Sequence, residues 1–495
     1  MSWDAVVIGA GVNGLTAAGY LAQAGRRVLV LERRAESDGG VDAGWVPPDV
    51  VRHLGLARYG LVVSTPDPWI AAPLAAGGRL ELWRDPVRSA EAIGKLSARD
   101  ARRWPEFCDR MHRLGGFLQA LYAAPAPRPT GSDFSDLVRL AGLGLRFRNL
   151  GKTGMVDLLR VLPMAAAELL DDWFESDVLK GILGAGAVTG IRQGPRSAGT
   201  TFVLLHHHVG CPVGVFRPPV LSGPEGRSVD AIFGAAAQAL GAEIRRGVTV
   251  TQVTVRDDGA TGVVLASGEE VAAPLVLSSA DPHRTFLDLL DPSLLDPEFV
   301  RAVKHIKFRG AAARVTLSLG QSASSTPLCL APSLEALERA YDDAKYGRIS
   351  ERPWLEARPA PDPGGRHRLV VHVQYAPYRL EDGEWDEGRR RALGDASVRA
   401  LTEHVPDLAR NVTDCEVLTP KDLEERYAVT QGSLAHGELT LDQILFMRPI
   451  PGWAHYRTPV RGLYLCGAGT HPGPGIMGGP GRLAALKALK DVTTS

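Results

Sequence analysis

Cysteine is sparse in this chain: Cys108, Cys211, Cys329, Cys415 and Cys466 are the five among 495 residues, and no two form a C-x-x-C pair. That scatter indicates neither a zinc site nor a disulfide framework and fits a reduced, cytoplasmic setting. Charge of one sign is missing too. The 56 Lys plus Arg offset the 56 Asp plus Glu, so composition makes no case for nucleic acid or an anionic surface as a partner. No apolar run approaches the length needed to span a bilayer, and a first strand that begins by Asp4 leaves no room for a signal peptide. No Ser-His-Asp elbow, paired-carboxylate motif or internal repeat of useful period stands out. A chain of this length exceeds the size at which one core keeps growing, which predicts two domains.

What is present starts at once. Apolar Ala5 to Ile8 reads as a strand buried on both faces, and Gly9, Gly11 and Gly14 follow it with G-x-G-x-x-G spacing. Gly9 permits the tight turn, Gly11 lets a pyrophosphate approach the backbone, and Gly14 lets the next helix lie close to the strand. Leu15, Ala18, Leu21 and Ala22 recur at helical spacing, Gly25 ends that helix, and Val28 to Glu32 closes with an acid where ribose hydroxyls are taken. The predicted dinucleotide contacts are Gly9, Gly11, Val12, Asn13, Gly14, Glu32 and Arg33. Glu32 would repel a ribose 2'-phosphate, although Arg33 and Arg34 weaken that argument. Gly39 and Gly40, soon after the acid, are a mark of flavin enzymes built on this fold. A second run of similar spacing, Gly184-Ala-Gly186-Ala-Val-Thr-Gly190, follows helix-like Trp173 to Lys180 and is read as a loop, so no second dinucleotide site is evident.

From about Arg84 to Leu205 the pattern is amphipathic, as in Asp136 to Phe147 and Met155 to Trp173. It predicts a helical insertion, read as a plain helical subdomain in preference to a membrane-docking surface. On a strand, His206 and His208 would share one face with His207 opposite. With no carboxylate or cysteine at ligand spacing, these read as pocket or surface histidines, and no metal is expected. From Ser228 a helix through Ala231 to Leu240 precedes strands at Glu243 to Arg245, Val248 to Val255, Val263 to Leu265 and Val271 to Leu277. A second excursion, from about Asp291 to Val429, holds strands at Ala312 to Leu319 and Arg368 to Gln374 and a loop at Ala357 to Gly365.

Near the C-terminus, Gly462-Leu-Tyr-Leu-Cys-Gly-Ala-Gly-Thr-His-Pro472 leads through a Gly-rich loop to Gly481 and a helix. Backbone N–H groups and the positive helix end there can face an anion such as the N1–C2=O edge of a reduced flavin.

At these residues the chain resembles the phytoene-desaturase-like flavoproteins, most closely the bacterial branch of pyridine nucleotide-disulfide oxidoreductase-domain or NAD(P)/FAD-dependent oxidoreductases. The resemblance also covers Leu277-Ser-Ser-Ala-Asp-Pro-His-Arg-Thr-Phe-Leu287, Leu439-Thr-Leu-Asp-Gln443 and Met447-Arg-Pro449. It implies an α/β fold with α+β insertions: a Rossmann-like, glutathione-reductase-type FAD domain from residues 1–65, 220–290 and 430–495. Residues 66–219 and 291–429 would form a discontinuous substrate domain with a mixed sheet and the helical insertion. It further implies one non-covalent FAD, hydride chemistry at flavin N5, and Val250 as the adenine contact, with Ala280, Gly467, Ala468, Ile476, Met477 and Gly478 completing the cofactor set. Two departures fall where relatives line the flavin cavity: the segment after Gly40, Val41-Asp-Ala-Gly-Trp-Val-Pro-Pro48, is short, and Phe216 to Gly226 is altered.

The function so implied is an FAD-dependent oxidoreductase acting on a small, apolar organic substrate, with carbon–carbon desaturation as the leading reaction. A flavin-supported isomerase or cyclase, and a flavin-binding scaffold without turnover, are the alternatives. With one dinucleotide site, dioxygen, a quinone or another bound acceptor would reoxidise the flavin. The flavin itself would supply the reactive atom, with His436, Asp442 and Gln443 as candidates facing the cavity. A peripheral membrane contact is left open, and nothing in the sequence indicates the oligomeric state.

Overall fold

The computed structural model describes residues 3–37, 42–127, 134–322, 326–361 and 367–494. Gly39 and Gly40 lie outside the described residues. The strand Ala5–Ile8 is central in a five-stranded parallel sheet ordered Leu463–Leu465, Val276–Ser278, Ala5–Ile8, Val28–Glu32 and Glu243–Arg246. Its continuous apolar sequence follows from cover on both faces. Ala5 and Val7 share a core with Leu21, Phe233 and Leu483 of the helices Val12–Gln23, Val229–Ala239 and Gly479–Thr494. Val6 and Ile8 share one with Val253, Val263 and Val271 of a three-stranded antiparallel sheet. The expected strand at Val271 to Leu277 is two strands. Glu270–Ala272 belongs to the small sheet and Val276–Ser278 to the parallel one, with Pro274, which has no N–H to give a ladder, between them.

A second, seven-stranded sheet is ordered Val412–Leu418, Ala312–Leu319, His367–Gln374, Leu355–Pro361, Leu328–Leu330, Ile70–Pro73 and Arg79–Leu82. It is mixed, because Ile70–Pro73 runs parallel to Leu328–Leu330 while the other neighbours are antiparallel. Along Ala312–Leu319 burial alternates strictly, so one face is packed and the other is half-open. The loop expected at 357–365 is instead a strand as far as Pro361. Pro359 and Pro361 are tolerated because Leu328–Leu330 pairs only with residues 355–357, which leaves the strand's second half with one neighbour.

The expected helical insertion runs from Pro86–Gly94 to Thr200–His208. Two readings within it change. Residues 184–188 belong to the helix Asp177–Val188, whose glycines serve contact: a Cβ at Gly181 would lie 2.0 Å from the Ala331 carbonyl oxygen, and one at Gly184 2.5 Å from Leu334. The three histidines end a helix, Thr200–His208, so strand alternation does not apply to them. No helix among the described residues is long and apolar enough to cross a membrane.

Candidate cofactor site and adjoining cavity

The first turn is built by three glycines in three ways. Gly9 has φ 93°, a conformation that side chains resist, and a Cβ there would meet Ser279 Oγ at 2.4 Å. At Gly14 a Cβ would sit 2.1 Å from the Gly9 carbonyl oxygen, so the helix lies against the turn. At Gly11 a Cβ would meet nothing within 4 Å. That residue also opens the helix Val12–Gln23 with no side-chain cap on its first N–H groups, leaving them to an outside acceptor.

Glu32 is buried beside this turn. Its Oε2 accepts from Ala10 N–H at 2.7 Å, and its Oε1 accepts from the backbone N–H and Nε of Arg34 at 3.0 and 3.1 Å. Burial pushes the carboxyl up, but these donors outweigh burial and hold it below its ordinary range, so it is ionised. Val248 N–H donates to the Glu32 carbonyl at 2.9 Å, which brings the strand carrying Val250 alongside the acid. Arg33 behaves otherwise than expected: its guanidinium is tied to the carbonyls of Glu425 and Arg426.

The chain ends meet at this site. Asn13 Oδ1 accepts from Gly478 N–H at 3.0 Å, and a Cβ at Gly481 would strike the Asn13 carbonyl oxygen at 2.0 Å. Ser279 N–H and Oγ both donate to the Ile8 carbonyl, which sets Ala280 next to the first turn. A Cβ at Gly467 would lie 2.4 Å from the Ser279 carbonyl oxygen. The Ala468 carbonyl accepts from buried Arg448, whose guanidinium also binds the carbonyls of Ala435, Gly437, Glu438 and Gln443. Burial lowers that arginine to about 10. Arg448 belongs to the Met447-Arg-Pro449 motif, and its role as a clamp on carbonyls was not visible from sequence.

The shortened segment has a definite place. Trp45 N–H donates to the Gly475 carbonyl and Met477 N–H to the Trp45 carbonyl, both at 2.8 Å, which makes a bridge beside Ile476. The N–H groups of Met477 and Gly478, expected to face a flavin, are thus held by Trp45 and Asn13. His206 completes this wall: its Nε2–H donates to the Pro474 carbonyl at 2.7 Å, so Nδ1 accepts from the Tyr122 hydroxyl at 2.8 Å. Burial pushes His206 down to about 3.

Between this wall and the seven-stranded sheet lies a cavity of about 410 Å³. Trp45, Pro474 and Gly475 line one side; Arg314, Glu356, Arg358 and His372 line the sheet side, with His207 and Arg217. Glu356 is buried between two arginines: Oε2 accepts from Arg217 Nε at 2.8 Å and Oε1 from Arg358 Nε at 2.8 Å. Burial alone would raise its carboxyl, but the two guanidiniums outweigh that and hold it at about 2. Burial pushes His207 down to about 4.

His436, Asp442 and Gln443 do not line this cavity. Asp442 is an exposed partner of Lys307 at 2.7 Å. Gln443 ties the backbone N–H and C=O of Lys307 and the carbonyl of Glu438. His436 is turned to the other loop: its Nδ1, buried without a hydrogen-bond partner, is 3.2 Å from where a Cβ on Gly467 would be. Asp442 and Gln443 were placed by proximity to a motif in sequence, but a tight turn there points them at Lys307. The polar residues that do line the cavity, Arg217, Arg314, Glu356, Arg358 and His372, were missed. Their signal was weak: charges at alternate positions of apolar strands, and an arginine in the altered stretch after Phe216.

Among the described residues no group of three His, Cys, Asp or Glu could hold a metal ion. An open backbone cradle, uncapped helical N–H groups and a buried, ionised acid fit the diphosphate and ribose of a dinucleotide. Fold and site therefore define a dinucleotide-binding α/β protein, and its relatives make it an FAD-dependent oxidoreductase. Residues 4–185 match the family described as FAD dependent oxidoreductase. The chain belongs to the family of pyridine nucleotide-disulfide oxidoreductase domain-containing protein 2: the Rattus norvegicus protein is 33% identical, covering 99% of this chain and 94% of its own. Hydroxyneurosporene desaturase of Rubrivivax gelatinosus is 27% identical over 99% of this chain and 94% of its own. Among solved structures, wild-type putrescine oxidase bound to putrescine shares the fold, with TM-score 0.62 and 16% identity over 100% of this chain and 99% of that one.

Proposed function

We propose that the chain oxidises an apolar organic substrate by hydride transfer to FAD, with carbon–carbon desaturation as the reaction. The observation that carries this is the way the cavity's titratable groups are held: His206 and His207 are hydrogen-bonded to the backbone carbonyls of Pro474 and Gly186, and Glu356 is buried between Arg217 and Arg358. Burial pushes both histidines well below their ordinary range and the two guanidiniums hold the acid below its own, which favours neutral imidazoles and an ionised carboxylate at neutral pH. An isomerase or cyclase that works by proton transfer needs a group poised near the operating pH, so this set favours redox chemistry. FAD, when bound, supplies the hydride acceptor at N5. In this reading residues 1–65, 220–290 and 430–495 hold the cofactor, with its diphosphate over Gly9, Gly11 and Gly14, ribose on Glu32 and adenine near Val250. Residues 66–219 and 291–429 shape the substrate cavity. His206 keeps the Pro474 carbonyl in place, and Trp45 with the apolar lining excludes water from the reacting end.

An amine substrate, as in putrescine oxidase, is disfavoured, because three arginines and one glutamate line the cavity and would repel a cation. The test is anaerobic incubation of the FAD-loaded protein with a panel of hydrocarbons and terpenoids. Flavin bleaching matched by loss of two hydrogens from the substrate is expected. Conversion without bleaching or mass change would replace this reading with the isomerase one.

A further inference from the structure

Glu356 faces the sheet side of the cavity, and its neighbours are set by strand register. Arg314 stands opposite His372, and His372 opposite Glu356, so a row of polar side chains crosses three adjacent strands, with Arg358 two residues further along. Two of the three arginines here differ sharply from the third. Arg217 is engaged at all three nitrogens: besides Glu356 it donates to the carbonyls of Phe216 and Ile182, both at 3.0 Å. Among the described residues Arg358 is hydrogen-bonded only to Glu356 Oε1, and Arg314 only to the Tyr427 hydroxyl at 2.7 Å, with its Nε buried and unpartnered there. One carboxylate cannot neutralise three guanidiniums, and the histidines on these walls are neutral. The lining thus carries an excess of two positive charges, with unused donors on Arg314 and Arg358. Arg314 and Arg358 are half-buried, where positive charge in excess of its counter-charge favours an anion, and a guanidinium fork matches the oxygens of a carboxylate or phosphate.

We propose that this cavity binds an amphipathic anion, its carboxylate or phosphate head on Arg314 and Arg358 and its apolar body reaching the wall of Trp45, Pro474 and Gly475. This deepens the oxidoreductase reading, on which it rests for what happens at the apolar end. A volume of about 410 Å³ lies within the roughly 300–1,000 Å³ typical of ligand sites and holds a medium-length chain.

The experiment is calorimetric titration of the full-length, FAD-loaded protein with decanoate, decyl phosphate, decan-1-ol and decylamine, with no electron acceptor present. One or both anions should bind at least about tenfold more tightly than the alcohol, and the better of the two identifies the head group. Arg314→Met and Arg358→Met should each remove most of that preference, the first while keeping the wild-type melting profile and the second with some loss of stability because Arg358 also pairs with Glu356, and the Lys variants should retain part of the preference. Alcohol or amine binding as tight as both anions, no measurable binding of either anion, or an unchanged preference in both Met variants overturns the proposal. Binding here needs no turnover, so the two readings fail separately. Anion preference without flavin bleaching by any substrate would remove the oxidoreductase reading alone. Bleaching by neutral hydrocarbons without anion preference would remove this one alone.

Discussion

Replacing Glu356 by Gln keeps the shape of the side chain and removes the charge that two arginines share. The carboxyl stands at about 2 instead of its ordinary 4.5. At about 1.4 kcal/mol per pH unit, that difference makes the ionised form worth roughly 3 kcal/mol to the folded state, an order-of-magnitude figure. The same size is expected from a second direction, since deleting one partner of a buried ion pair costs about 3–5 kcal/mol when the other stays charged and buried, as Arg217 would. The sign follows from the direction of the shift. Above pH 4.5 the group is ionised folded and unfolded, and the full contribution is present. As pH falls from 4.5 toward 2, the unfolded chain takes up its proton first and the contribution is lost. Urea denaturation of wild type and Glu356→Gln should therefore differ by roughly 3 kcal/mol at pH 7, with the gap narrowing below about pH 4.5. Combining Glu356→Leu with Arg217→Met should restore part of the loss, because the fully buried guanidinium is then no longer stranded and only the partly exposed Arg358 has lost its carboxylate. A difference under about 1 kcal/mol at pH 7, the value of an ordinary surface pair, or a gap that does not narrow in acid, would refute the argument.

Gly11→Val should lose most bound FAD while folding normally, since its side chain enters open space; full flavin content after purification would contradict the cofactor assignment. Gly478→Val should lose both stability and flavin, because φ is 78° and a Cβ meets Thr16 Oγ1 at 2.7 Å; a wild-type melting temperature with full flavin content would count against it. Asp442→Asn removes only an exposed pair with Lys307, a change of about 0–1 kcal/mol, and turnover should stay within about twofold; complete inactivation with flavin retained would put an essential side chain there. NADH and NADPH should not reduce the bound flavin rapidly, whereas dioxygen or a quinone should reoxidise it; fast stoichiometric reduction in stopped flow would overturn that expectation.

The sequence by itself determined the elements whose signals are local. The strand, the three glycines and Glu32 could be read within about thirty residues because turn geometry and helix–strand contact act between near neighbours. The strand Ala312–Leu319 was legible for the same reason, through its period of two. What tertiary structure decided is what depends on distant segments meeting. Glu356 and Arg217 are 139 positions apart, and their pairing exists only because the strand Leu355–Pro361 and the segment after Phe216 close on one cavity. Alternation along Ala312–Leu319 shows that Arg314 leaves the packed face, but not that His372 and Glu356 stand in line with it across neighbouring strands. Gly184 and Gly186 looked like loop residues because the sequence holds no record of the Leu334 side chain 2.5 Å from a Cβ on Gly184. Asp442 and Gln443 show the converse: neighbours of a recognisable motif, they are turned to Lys307 by the fold, because direction in a tight turn is set by what packs on it and not by distance along the chain.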